Sequence, residues 1–137
     1  MGWSIQEVQS RHAIINDEDI LALIATFTAM INRKLVHSEG LGTLMSTWTS
    51  AVELAGPGTI DLELGQVSDS PAQLQTFHRL LSETQSVLDT FGDRVPRELL
   101  NEGPFGNTAT FAKDYPVSRL TDTIRQLREL TSQPAGT

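Results

Sequence analysis

The chain has 137 residues, ten Lys and Arg against seventeen Asp and Glu, a formal net charge of −7 and no cysteine. This excludes disulfides and thiolate metal sites, and it argues against nucleic acid as a ligand, because phosphate recognition needs a concentrated basic face. The length suits one domain over residues 1–137, and with no basic-plus-apolar leader the expected compartment is the cytoplasm.

The N-terminal stretch reads as a helix start. Ser4 and Glu7 have capping-box spacing, Trp3 and Val8 stand where a hydrophobic staple would, and Ile5, Val8, His12 and Ile15 continue at helical steps. A short helix to Arg11 or Ala13 is expected. The organising element follows from Asn16 to His37. Ile20, Ile24, Phe27, Ile31 and Leu35 recur at steps of three and four, and Leu21, Leu23, Ala25 and Met30 widen the stripe until most faces are apolar. Asn16 supplies a cap, Asp17, Glu18 and Asp19 suit the positive end of the dipole, Arg33, Lys34 and His37 suit the negative end, and Gly40 offers a left-handed stop. The apolar run from Ile20 to Ile31 is far shorter than the roughly 20 residues a bilayer requires, so a buried core helix is expected and no membrane span.

Leu41, Leu44, Met45, Trp48, Ala51, Val52 and Ala55 form a second amphipathic stripe, closed by Gly56-Pro57-Gly58. In Thr59 to Leu64 the apolar Ile60, Leu62 and Leu64 alternate with Asp61 and Glu63, which predicts an extended segment. No second segment of comparable pattern is present to pair with it. Ser70-Pro71-Ala72-Gln73 combines a Ser cap, Pro at the first helical position and Gln three residues after the cap. The helix it opens should run through Leu74, Phe77, Leu81, Leu88 and Phe91 to Gly92 and pack along the central one. Val95 to Leu100 gives a short helical turn, Glu102 to Pro116 an irregular loop with Phe105, Phe111 and Tyr115, and Val117, Leu120, Ile124, Leu127 and Leu130 a last helix before a frayed tail at 131–137. The expected fold is therefore all-α, a single-domain bundle of about five or six helices with one extended segment at Thr59–Leu64.

Chemistry is sparse in this sequence. His12, His37 and His78 form no His-x-x-x-His or Glu-x-x-His pair, and the Gly-rich stretches at 56–59 and 103–107 lack the Lys of a phosphate loop, so neither a metal nor a cofactor is expected. Charge layout is more informative. Residues 1–70 hold nine acids against three bases, and from Leu35 through His78 there is no Lys or Arg while Glu39, Glu53, Asp61, Glu63 and Asp69 all fall inside. These five acids are the candidate partner-binding residues. Size, acidity and missing catalytic groups point to an inhibitor of the immunity or antitoxin type, which would neutralise a basic, nuclease-like toxin by direct binding.

Two other readings rest on particular residues. Arg33 and His37 resemble the Arg-to-His motif at a helix end in HEPN-class ribonucleases, one residue shorter in spacing, which would set the pair at i and i+4 of the central helix. A ribonuclease would use them as its essential groups. A homo-oligomeric helical module would use the aromatic loop Glu102–Pro116 as its contact.

Overall fold

The computed structural model describes residues 2–54, 56, 58–102 and 111–132. Its N-terminus departs from the expected helix. Strand β1 (Trp3–Val8) turns through Gln9 and Ser10 into β2 (Arg11–Asn16), the two pairing antiparallel with Val8 opposite Arg11 and Trp3 opposite Asn16. Gln9 carries the positive φ, +57°, that tight two-residue hairpin loops demand. Along β1 the buried residues are Ser4, Gln6 and Val8, and the exposed ones are Trp3, Ile5 and Glu7. The inward face of this strand is thus mostly polar, so its period-two pattern is invisible to a hydrophobicity reading. Ser4 and Glu7 have capping-box spacing but cap nothing: Ser4 is buried in the hairpin and Glu7 faces out. Together with the two-residue pairing of β3 (Arg94–Val95) and β4 (Tyr115–Pro116), the hairpin corrects the all-α expectation to a mostly helical protein with two small antiparallel strand pairs.

Helix α1 (Asp17–Asn32) is the predicted central helix, capped by the Asn16 side chain accepting from the Glu18 N–H at 2.8 Å. It stops five residues earlier than expected. Lys34 takes the left-handed conformation, φ +59°, while its N–H bonds to the Ile31 carbonyl and the Leu35 N–H to the Met30 carbonyl. This is a Schellman stop with Lys where Gly is usual, so Gly40 plays no part in ending the helix. Ile20, Ala22, Leu23, Ile24, Ala25, Phe27, Ala29 and Met30 are all buried, as expected for a helix apolar on most faces.

Helix α2 (Gly42–Leu54) falls where the sequence places it, and the long α4 (Pro71–Leu88), opened by Ser70 accepting from the Gln73 N–H at 3.3 Å, starts as expected but ends before Phe91 and Gly92. A short α3 (Leu64–Asp69) precedes α4, and α5 (Arg97–Leu100) and α6 (Val117–Thr131) follow as the last helices among the described residues. α2, α4, α5 and α6 all pack on α1, and α6 lies against both α1 and α4, so the expected pair of long helices shares its contact with a third. Trp48 of α2 sits at the centre, its ring 5.9 Å from Phe27 and 5.5 Å from Phe77, and its indole N–H donates to the Leu62 carbonyl at 3.0 Å. In the expected aromatic loop, Phe105 lies outside the described residues. Tyr115 is buried, donates its hydroxyl to Asp19 and lies under the Arg119 guanidinium, which also pairs with Asp19 at 2.9 Å.

Candidate functional site

The extended segment before α3 is anchored by side chains. Ile60 and Leu62 are buried, and Asp61 and Glu63 are exposed, in the alternation the sequence shows. No ladder joins the segment to β1. Instead the Gln6 amide donates to the Ile60 carbonyl at 2.7 Å and accepts from the Leu62 N–H at 3.0 Å, while the Ser4 hydroxyl accepts from the Ile60 N–H at 3.0 Å and donates to Asp17. The Asp17 carboxylate also accepts from the Gly58 N–H at 2.7 Å. Buried polar groups in β1 are therefore satisfied by the main chain of a segment more than fifty residues away.

This arrangement brings Glu7, Asp61 and Glu63 to the lining of one open groove of about 520 Å³, with Ile5, Gly58 and Gly65. Asp61 accepts from the Glu63 N–H at 2.8 Å and Glu63 adopts φ +54°, a local turn that leaves both acids on the surface. Beside the groove the outer face of the hairpin exposes Trp3 (60%), Ile5 (54%) and Ile14 (52%), with Ile5 and Ile14 directly opposite in register. Three large apolar side chains on one exposed sheet face, next to carboxylates, have the composition of a docking surface.

Of the five acids singled out from the sequence, the groove gathers Asp61 and Glu63. Glu39, Glu53 and Asp69 are exposed elsewhere: Glu39 on the connection before α2, where its carbonyl holds Arg79, Glu53 in the last turn of α2, and Asp69 at the end of α3. Glu7, Trp3, Ile5 and Ile14 were missed because a helical N-terminus assigned Trp3 and Glu7 to a staple and a cap. The alternation of Ser4, Gln6 and Val8 against Trp3, Ile5 and Glu7 is the signal that could have found them.

A second groove, of about 550 Å³, holds Arg33, Lys34 and His37 against Glu83, Ser86 and Phe91. Because α1 ends at Asn32, Arg33 and His37 do not share a helix face, which removes the i, i+4 geometry expected for them. Arg33 forms a two-pronged pair with Glu102. His37 is held through Nδ1 at 2.6 Å and its backbone N–H at 2.7 Å by Glu83. Desolvation pushes the Glu83 carboxyl up, but the bonds from His37 and the charges of His37 and Arg79 outweigh it and leave the group below the usual carboxylate range. Each candidate ribonuclease residue is thus engaged by its own carboxylate.

Among the described residues no group of three or more His, Asp or Glu could hold a metal ion, and no helix is long and apolar enough to cross a membrane. Neither a protein-family model, nor a curated protein, nor a solved structure matches this chain.

Proposed function

We propose that the chain is a protein-binding inhibitor of the immunity or antitoxin type, docking a basic partner through the face formed by Trp3, Ile5, Ile14, Glu7, Asp61 and Glu63. The observation that supports it is the juxtaposition of an exposed apolar trio with the acidic groove. Apolar side chains at the centre supply burial, and carboxylates at the rim supply steering and register. Glu39, Glu53 and Asp69 add to the long-range negative field without belonging to the contact.

The test is capture of a partner from the native cell, followed by association kinetics of the purified pair across a salt series. The reading expects an association rate that falls steeply with salt and drops about tenfold or more in a Glu7→Gln/Asp61→Asn/Glu63→Gln variant at low ionic strength. An association rate insensitive both to salt and to the triple substitution would overturn it.

A further inference from the structure

We propose that the free edge of β1 is a docking strand, and that the partner contributes an extended, basic segment that pairs with the main chain of Ile5. This inference rests on the reading of a basic protein partner. Its physical ground is the phase of the hairpin ladder. The Asp17 N–H bonds to the Gly2 carbonyl at 3.0 Å, and the two-residue turn closes on Val8 and Arg11. Gly2, Ser4, Gln6 and Val8 therefore spend their backbone groups on β2, and those of Trp3, Ile5 and Glu7 point to the opposite edge. Among the described residues no backbone group bonds to them there.

The neighbouring segment does not close that edge, because it is held by the buried side chains of Ser4 and Gln6. It comes close to the β1 carbonyls at both ends. A Cβ placed on Gly58 would lie 3.4 Å from the Trp3 carbonyl oxygen, and one on Gly65 would lie 4.0 Å from the Glu7 carbonyl oxygen. Between these ends Ile5 faces the groove, so the pairing is short and centred on it. β1 contains no Lys and no Pro, two of the residues that commonly guard a sheet edge, and its one charged residue is Glu7.

Charge selects the occupant. The groove lining includes Glu7, Asp61 and Glu63 and no Lys or Arg. A second copy of this chain would bring the same carboxylates against these, whereas a strand alternating apolar and cationic residues meets Ile5 and the carboxylates together.

The experiment uses the full chain and a labelled octapeptide, Lys-Val-Arg-Val-Lys-Val-Arg-Val, with two variants of equal charge in which one or the other alternate set of backbone amides is N-methylated. The proposal expects salt-dependent binding, slowed hydrogen exchange at the Ile5 and Glu7 amides, and loss of about tenfold in affinity for one methylated set with little change for the other. Ile5→Pro, which deletes an edge N–H that β2 does not use, should weaken the peptide similarly, against an Ile5→Ala control for the lost side chain. Salt-dependent binding with both methylated sets equivalent and no protection at Ile5 overturns strand addition and leaves the acidic-face reading standing. Absence of binding to all three peptides at millimolar concentration overturns strand addition, while the salt series with the intact partner decides the acidic-face reading.

Discussion

Gln6 is fully buried, and its amide satisfies both the Ile60 carbonyl and the Leu62 N–H, so Gln6→Ala removes the main tether between the hairpin and the segment that carries Asp61 and Glu63. Two main-chain groups lose their partner, at about 1–3 kcal/mol each where water cannot fully replace it. The lost methylene burial adds roughly 0.8 kcal/mol per group. The open groove lets water reach part of the site, so the sum expected is about 3–5 kcal/mol, a large fraction of the ~5–15 kcal/mol typical of a domain. Gln6→Met keeps the volume and isolates the hydrogen-bond share, so it should lose about 2–4 kcal/mol. Urea unfolding monitored by fluorescence would read these values as midpoint shifts at constant slope, on the order of 2 M for the alanine variant if the slope is about 2 kcal/mol/M. If both variants lose less than about 1 kcal/mol, the amide is not the tether and the account of how the acidic groove is held is wrong.

The surface carboxylates make no buried contacts, so Glu7→Gln, Asp61→Asn and Glu63→Gln together should change unfolding stability by no more than about 0.5 kcal/mol each, measured by the same urea titration. Trp48→Ala removes the ring between Phe27 and Phe77 and orphans the Leu62 carbonyl; a loss of about 3–5 kcal/mol is expected, and a loss under 1 kcal/mol would contradict its central position. Burial, helped by the charge of Arg128, holds His78 below the ordinary imidazole range. The folded state then binds fewer protons than the unfolded one, so this contribution is complete above the unfolded value near ~6.5 and is lost as pH falls through the folded value. His78→Asn should flatten that acid-side decline in urea midpoints between neutral pH and pH about 5. In the free protein, hydrogen exchange along β1 should alternate, with Ser4, Gln6 and Val8 amides slower than Ile5 and Glu7; uniform protection would mean that the outer edge already has a partner.

The helical part of the fold was legible because its signals are local. Ser70-Pro71, the Asn16 cap and the stripes of α1, α4 and α6 each announce themselves within a few residues, and all five appear in the structure. The hairpin was not legible because Ser4 and Gln6 are buried for reasons that lie at Asp17, Ile60 and Leu62, far along the chain. The early end of α1 depends on Lys34 accepting a left-handed conformation that Gly40 would have been expected to supply. The candidate site was half visible for the same reason. Alternation gave the outward direction of Asp61 and Glu63, but only the long-range tether puts Glu7 and the apolar trio beside them.

The chain has two tryptophans, and their placement divides the optical signals of the protein. Trp3 is exposed on the hairpin and Trp48 is buried with its indole N–H bonded to Leu62. Red-shifted, collisionally quenched emission belongs to the exposed hairpin face, and blue-shifted, shielded emission to the core. Since Leu62 is held by Gln6 from one side and by Trp48 from the other, release of the segment would be reported by the inner tryptophan before global unfolding, while partner capture would be reported by the outer one. Two events that a single averaged probe would merge can thus be followed separately in the unlabelled chain.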